Sequence, residues 1–230
     1  MRPQKLTLFD LDHTLLGGDS DVLWCEFLMA RGVLDRHGFE ATNTEMARAY
    51  QAGTVSTQAF CSFYIATLAG RSRAAWEPLR RDFLDDWIAP RIPAAARALV
   101  AGHSTAGDLV VMTTATNRFI TELTAAHLGI AHLIATECEA ADIDGQPGFS
   151  GRSSGQVNMR EGKVLRLHAW LQTRGIELQA CDSTAYSDSM NDLPLLEAVR
   201  HPVVVDPDPR LAQLAVARGW PSLSLHGPRV

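Results

Sequence analysis

The 230 residues predict an α/β fold: a parallel sheet covered on both faces, with an all-helical module inserted after the first strand. Three observations carry this. From Ala94 onward, short apolar runs alternate with helical stretches, the pattern of βα units around a sheet buried on both sides. From Ser20 to about Pro90 the sequence offers helical spacing and no strand. Ahead of both, K-L-T-L-F reads as a buried strand, yet it runs into two acids, Asp10 and Asp12.

Taken in order, residues 1–16 read as strand and loop. Asp21 to Met29 has helical spacing, with Ser20 as its N-cap and Gly32 as its stop. Thr44 to Gln51, Ser56 to Leu68 and Ala74 to Ile88 also read as helices, and Pro90 and Pro93 close the block. Ala94 to Gly102 is a helix, Asp108 to Thr113 an apolar strand, and Asn117 to His127 a helix. His132 to Thr136 is a strand, and the Gly-, Ser- and Asp-rich stretch from Glu137 to Val157 suggests a hairpin or flap. Gly162 to Arg174 is helical, and Ala185 to Ser187 ends another strand. Met190 to Val199 is helical, Pro202 to Asp206 is a strand, and Leu211 to Arg218 is the last helix. The expected division is a core of residues 1–16 and 94–230 with a helical cap of residues 17–93.

Composition narrows the function. Hydrophobic residues make up 46%, ordinary for a globular chain and too high for a disordered one. The net charge of -5 and the lack of a basic cluster argue against nucleic acid as a partner. Cys25, Cys61, Cys138 and Cys181 are scattered and form no C-x-x-C, so neither a zinc site nor a disulfide framework is signalled. Reduced thiols and the lack of a leader pattern set the expectation of a cytoplasmic protein, and no stretch is long and apolar enough for a membrane span. Oligomeric state is not encoded in any feature of the sequence.

In an open parallel sheet, ligands bind outside the carboxyl ends of the strands. Asp10 and Asp12 sit at such an end, and Thr113, Thr114 and Asp188 fall at others. Four stretches therefore converge: F-D-L-D-H-T, V-V-M-T-T-A-T-N, E-G-K-V-L-R-L and Y-S-D-S-M-N-D-L-P-L-L. In order and spacing they resemble the four motifs of the haloacid-dehalogenase-like (HAD) phosphohydrolases. The helical insert resembles the C1 cap of the phosphoserine-phosphatase-like branch, subfamily IB. The resemblance covers nearly the whole core, and the cap by position and helical character. Ser187 stands where the family usually has Gly before the metal-binding Asp, and His13 where Gly or Ser is common.

The chemistry of the residues agrees with the resemblance. Asp10 is placed to attack phosphorus and form an aspartyl-phosphate. Asp12 lies on the same side of the extended chain, placed to protonate the leaving alkoxide and then activate water. A phosphate beside two carboxylates needs a cation, and Mg²⁺ prefers oxygen ligands and few carboxylates. Asp10 and Asp188 are its expected side-chain ligands, the family pattern adds the backbone carbonyl of Asp12, and Asp192 supports the metal or its waters. Lys163 supplies a charge to the phosphate and Thr114 a hydroxyl, with Thr113 the near miss.

Each residue also has a structural reading. A strand-end Asp is often a turn residue, Asp192 could serve a helical turn, and Thr14 and His13 read as loop residues. Trp24, Trp76 and Trp87 read as packing. Asn191 either caps the local turn or touches substrate. Asp19 matches, without gaps, the acid that contacts the substrate ammonium in phosphoserine phosphatases; otherwise it or Ser20 caps the first helix. An acid there suits an amine-bearing phosphomonoester of the phosphoserine or histidinol phosphate type. No clear arginine for a substrate carboxylate emerges among Arg48, Arg71 and Arg73. Rival readings are a phosphotransferase using the same intermediate, a dehalogenase, and a non-catalytic phosphoacceptor or binding protein. Asp12 argues against the last two.

Overall fold

The computed structural model describes residues 3–227. Its strands are β1 (Lys5–Phe9), β2 (Leu109–Asn117), β3 (His132–Ile143), β4 (Gln146–Ser154), β5 (Asp182–Ser187), β6 (His201–Val205) and β7 (Ser222–Leu223). They form one sheet in the order β4-β3-β2-β1-β5-β6-β7, parallel throughout except for the antiparallel β3–β4 pair.

β1 is central because its residues alternate between two cores. Leu6 and Leu8 face one cluster with Leu167, Leu171, Leu195 and Leu211. Phe9 faces the other, stacked on Tyr186 at 4.8 Å between ring centroids. Phe9 is in register with Met112 on one side and Tyr186 on the other. The chain visits β2 and β3 on one side of β1 and then returns to β5 on the other, so a crevice opens at the carboxyl end of β1.

Four helices lie between β1 and the next core helix: α1 (Ser20–Ala30), α2 (Arg36–Ala52), α3 (Thr57–Ile65) and α4 (Arg73–Phe83). The core helices are α5 (Ala94–Thr105), α6 (Arg118–His127), α7 (Glu161–Gln172), α8 (Leu193–Ala198) and α9 (Pro209–Arg218). Trp24, Phe27, Trp76 and Phe83 bury their rings in the same cluster as Phe9, Phe119 and Phe149. The indoles are paired, Trp24 Nε1 to Thr67 Oγ1 at 3.2 Å and Trp76 Nε1 to the Leu68 carbonyl at 3.0 Å. The tryptophans Trp24 and Trp76 are thus packing residues, and helices α1 and α4 share the core of the sheet.

Several elements differ from the sequence reading. Helix α2 starts eight residues before Thr44, at Arg36, because its first half is polar on nearly all sides and lacks an apolar stripe. β2 runs on past Thr113 to Asn117. β3 continues through the predicted flap to Ile143 and turns at Asp144-Gly145, both at positive φ, into β4. The stretch after Ser189 opens with a short 3₁₀ turn before α8. No described helix is long and apolar enough to cross a membrane.

Candidate active site

Asp10 leaves the end of β1 with its N–H donating to the Tyr186 carbonyl at 3.0 Å, which holds it between β2 and β5. Lys163 reaches it from the first turn of α7: Nζ lies 2.7 Å from Asp10 Oδ1 and 2.6 Å from Asp192 Oδ2. All three side chains are buried. Burial works against the ammonium charge, yet Asp10 and Asp192 hold the Lys163 pKa above the usual lysine range. Burial pushes the Asp10 carboxyl up to about 7 against the pull of Lys163, with Asp192 and Asp12 adding to the rise. Ser187 donates to Asp192 Oδ2 at 2.8 Å and accepts from the Ser189 N–H, so serine in place of glycine gives the acid a second partner.

Gly162 sets the position of Lys163. A Cβ there would stand 2.1 Å from the Val157 carbonyl oxygen, so only glycine lets α7 begin this close to the preceding loop.

Asp188 faces Asp10 across Thr14. The Thr14 hydroxyl lies 3.3 Å from Asp10 Oδ2 and 3.1 Å from Asp188 Oδ1, and it accepts the Asp188 N–H at 3.0 Å. One hydroxyl proton cannot serve both carboxylates. Burial, then Asp10 and Asp192, hold the Asp188 carboxyl well above the ordinary range. Two buried carboxylate oxygens that converge on one point and share one proton fit a hard divalent cation that takes one or two carboxylates and keeps its waters. Among the described residues, no set of three or more His, Cys, Asp or Glu side chains forms a protein-only metal cage. Sequence reasoning set Thr14 aside as a loop residue; its place between the two acids becomes visible only when β1 and β5 are brought together.

Asp12 turns to the other side. Its Oδ2 accepts from Thr114 and Thr116, both at 3.1 Å, and its Oδ1 accepts the Ser20 N–H at 2.7 Å. Thr114 therefore faces the crevice, while Thr113, one residue earlier on the strand, faces away and accepts from Asn158 Nδ2 at 3.0 Å. The same amide nitrogen lies 2.9 Å from both the Thr114 and Ile134 carbonyls, so its two hydrogens are shared among three acceptors, and the Asn158 backbone N–H donates to the Thr136 hydroxyl. Asn158 thus fixes the ends of β2 and β3, a role with no signal in its local sequence.

Asp19 caps α1, accepting from the N–H groups of Asp21 and Val22 at 3.0 and 3.1 Å. Burial, with Asp12 next in weight, pushes its carboxyl up to about 7. Asn191 lies at the meeting of insert and core: Oδ1 accepts from Arg160 Nε at 2.9 Å and Nδ2 donates to the Tyr50 carbonyl at 3.4 Å. Beside it opens a cavity of about 260 Å³ lined by His13, Tyr50, Asp188, Asp208 and Arg210 among others.

The family model of the haloacid dehalogenase-like hydrolases matches residues 7–197. A histidinol-phosphatase of Neisseria meningitidis is 39% identical over 96% of this chain and 99% of its own. A phosphoserine phosphatase of Mycobacterium tuberculosis is 33% identical over 92% of this chain and 68% of its own. Among solved structures, a Bordetella pertussis protein of unknown function superimposes with a TM-score of 0.90 at 39% identity, covering 97% of this chain and 99% of that one. A phospho-aspartyl intermediate analogue of phosphoserine phosphatase shares the fold, with a TM-score of 0.69 at 16% identity over 98% and 94% of the two chains. With its four motifs gathered at one crevice, the chain belongs to the haloacid dehalogenase-like hydrolases, as a phosphatase of the phosphoserine-phosphatase-like branch.

Proposed function

We propose that the chain is a Mg²⁺-dependent phosphomonoesterase that works through an aspartyl-phosphate on Asp10, with residues 17–93 as its cap. The substrate is a small metabolite with a cationic amine, of the histidinol phosphate type rather than the phosphoserine type. One observation carries the reading: two carboxyls from one strand end are held apart for different work, Asp10 against Lys163 and Asp12 against Thr114 and Thr116.

Asp10 attacks phosphorus as the ester P–O bond breaks, and the Asp12 carboxyl gives its proton to the departing alkoxide. Asp12, now ionised, takes a proton from water as that water attacks the phosphoryl group; the bond to Asp10 breaks and phosphate leaves. Lys163 screens charge on the phosphoryl oxygens and keeps Asp10 ionised and in place. Bound at Asp10, Asp188 and the Asp12 carbonyl, Mg²⁺ would neutralise the phosphate's charge beside the carboxylates.

The preference for an amine without a carboxylate rests on the cations. Arg73 pairs with Glu122 at 3.5 Å, Arg71 lies over the Trp76 ring, and Arg48 is exposed. The Arg160 guanidinium is engaged by Asn191 and by the Gly53 and Val55 carbonyls.

The test is phosphate release from histidinol phosphate, phosphoserine, phosphoethanolamine and an aryl phosphate, with Mg²⁺ and with EDTA. The expected result is metal-dependent release, led by histidinol phosphate and reduced about 10⁴-fold or more in Asp10→Asn. Full activity in folded Asp10→Asn would overturn the mechanism, and a lead by phosphoserine would overturn the substrate. Transfer of phosphate to added alcohols in preference to water would make the chain a phosphotransferase.

A further inference from the structure

Lys163 is held at its ammonium by Asp10 and Asp192, and at its backbone by the residue that opens α7. The Lys163 N–H donates to the Arg160 carbonyl at 3.0 Å, and the Gly162 N–H to the Met159 carbonyl at 2.9 Å. The direction of the Arg160 carbonyl therefore decides where the first turn of α7 starts. Arg160 holds an unusual shape to do this, with φ at 52° and ψ at -125°. Residues with a side chain rarely adopt that region, and glycine enters it freely. Such a conformation persists where the surroundings over-determine it.

The Arg160 side chain supplies that hold. Its Nε donates to Asn191 Oδ1 at 2.9 Å, and its Nη2 reaches the Gly53 and Val55 carbonyls at 3.3 and 3.5 Å. Asn191 stands next to Asp192, the second partner of Lys163. Gly53 caps α2, and Val55 precedes Ser56, the cap of α3. One guanidinium thus touches the turn that carries Asp192 and the loop between two helices of the insert. A rigid planar fork suits such a junction, because it donates in fixed, divergent directions.

Charge favours the same seating. The last turn of α2 presents the negative end of its helix dipole. A Cβ at Gly53 would lie 3.4 Å from Arg210 Nη2 and 3.9 Å from Arg160 Nη2, so two guanidiniums flank this helix end. Among the described residues, no carboxylate pairs with either. Carbonyls of the insert meet their charge instead: Gly53 and Val55 for Arg160, and Gln51 for Arg210.

We propose that Arg160 is a positioning residue that ties the seating of the insert to the placement of Lys163. With α2 and α3 against the core, the Gly53 and Val55 carbonyls hold the guanidinium. The guanidinium holds residue 160 in its rare conformation, and the Arg160 carbonyl holds Lys163 within 2.7 Å of Asp10. With those carbonyls withdrawn, residue 160 relaxes and the start of α7 moves with it. This deepens the proposed function and rests on it for the part Lys163 plays at the phosphate. Nothing in M-R-E-G-K marks Arg160, since its partners lie 31 and 107 residues away.

The experiment uses the two lysines of the chain, Lys5 and Lys163. Lys5 is exposed and Lys163 is buried, so reductive methylation read by mass spectrometry reports Lys163 against an internal reference. Wild type, Arg160→Gly and Arg160→Lys are compared for this labelling ratio, for melting temperature, and for kcat and KM on phenyl phosphate and histidinol phosphate. Arg160→Gly accepts the same backbone without being held in it, so it is expected to stay folded. Its kcat is expected to fall about 10- to 100-fold on both esters with KM little changed, as for a displaced catalytic group, and its Lys163 labelling to rise several-fold. Arg160→Lys keeps the charge and loses the fork. It is expected to fall between the two, and it carries the comparison if Arg160→Gly does not fold. Wild-type kcat in folded Arg160→Gly overturns the proposal, and so does a lower kcat with unchanged labelling of Lys163. A rise in KM confined to histidinol phosphate makes Arg160 a substrate contact and also overturns it. If wild type hydrolyses neither ester, the proposed function falls and the labelling still decides: a raised Lys163 ratio in Arg160→Gly upholds the tie, and an unchanged ratio removes it.

Discussion

Thr14 and Thr116 do the same work on opposite sides of the site. Each hydroxyl stands between two carboxylates and has one proton to give. The acids were legible in the sequence because a strand that ends on two carboxylates needs an explanation. The threonines were not, since a hydroxyl gains its meaning from partners far along the chain. Thr114 and Thr113 could be ordered only by the small-residue turn that follows; strand alternation in the folded sheet separates them. At Asp19 the structure records the capping role, and its carboxyl has a second property that can be measured. With a folded pKa near 7 and an ordinary value of 3.8, it binds more protons folded than unfolded between those two values. The stability it lends is whole below about pH 3.8 and is lost as pH rises to about 7. Asp19→Asn keeps the cap acceptor and removes the charge. Thermal melts in EDTA should find it level with wild type near pH 4 and more stable at pH 8, by several °C, since a pKa raised by one is worth about 1.4 kcal/mol and each kcal/mol moves Tm by about 2–4 °C in a chain of this size.

At the scale of elements, the helix that delivers Lys163 depends on one close approach. Gly162 lies against the Val157 carbonyl, and the next element back, β4, ends at Ser154. Gly162→Ala must push the start of α7 away from that loop. Stability should fall by about 1–3 kcal/mol, as for other overpacked sites, and kcat should fall with it as Lys163 moves from Asp10. Denaturant melts and kinetics together check this: a variant that melts like wild type at full kcat would show that the loop yields freely. The E-G-K motif marked the residue, but nothing local announced the contact. Element edges were least legible where periodicity is weak: the polar first half of α2, and β3, where Gly and Ser nearby suggested a flap and the strand instead ran through. The two-residue β7 was too short to leave a pattern.

Across the whole molecule, the sheet order gathers acids faster than it gathers bases. Lys163 balances Asp10 and Asp192, while among the described residues no lysine or arginine pairs with Asp188, Asp12, Asp19 or Asp21. Alternation of strands and helices made the parallel sheet legible, and with it the end at which the acids meet. The imbalance itself came from packing the helical insert on the crevice, which no single stretch foretells. It follows that the metal-free protein is held below its full stability by its own site. On the proposed reading, Mg²⁺ at about 100 times its Kd should add about 2.7 kcal/mol. Asp188→Asn should melt higher than wild type in EDTA and gain much less from Mg²⁺. Thermal melts with and without the metal decide it; an equal Mg²⁺ gain in both proteins would remove Asp188 from the cation site.

The β3–β4 hairpin reaches beyond the sheet to the insert. Ser72, the cap of α4, bridges to Gly148, and Gln58 Nε2 of α3 donates to Ser153 Oγ at 3.0 Å. The insert is also joined to the core by its two chain crossings, near Gly17 and near Arg91, which themselves hydrogen-bond at 2.9 Å. In mechanical language, it is a plate bolted on one side and propped on the other. Its remaining margin is held to the core by polar contacts. That margin is α2, whose last turn touches the core through Arg160, Asn191 and Arg210. On the proposed reading, any opening of the crevice at α2 has to part these three polar clasps.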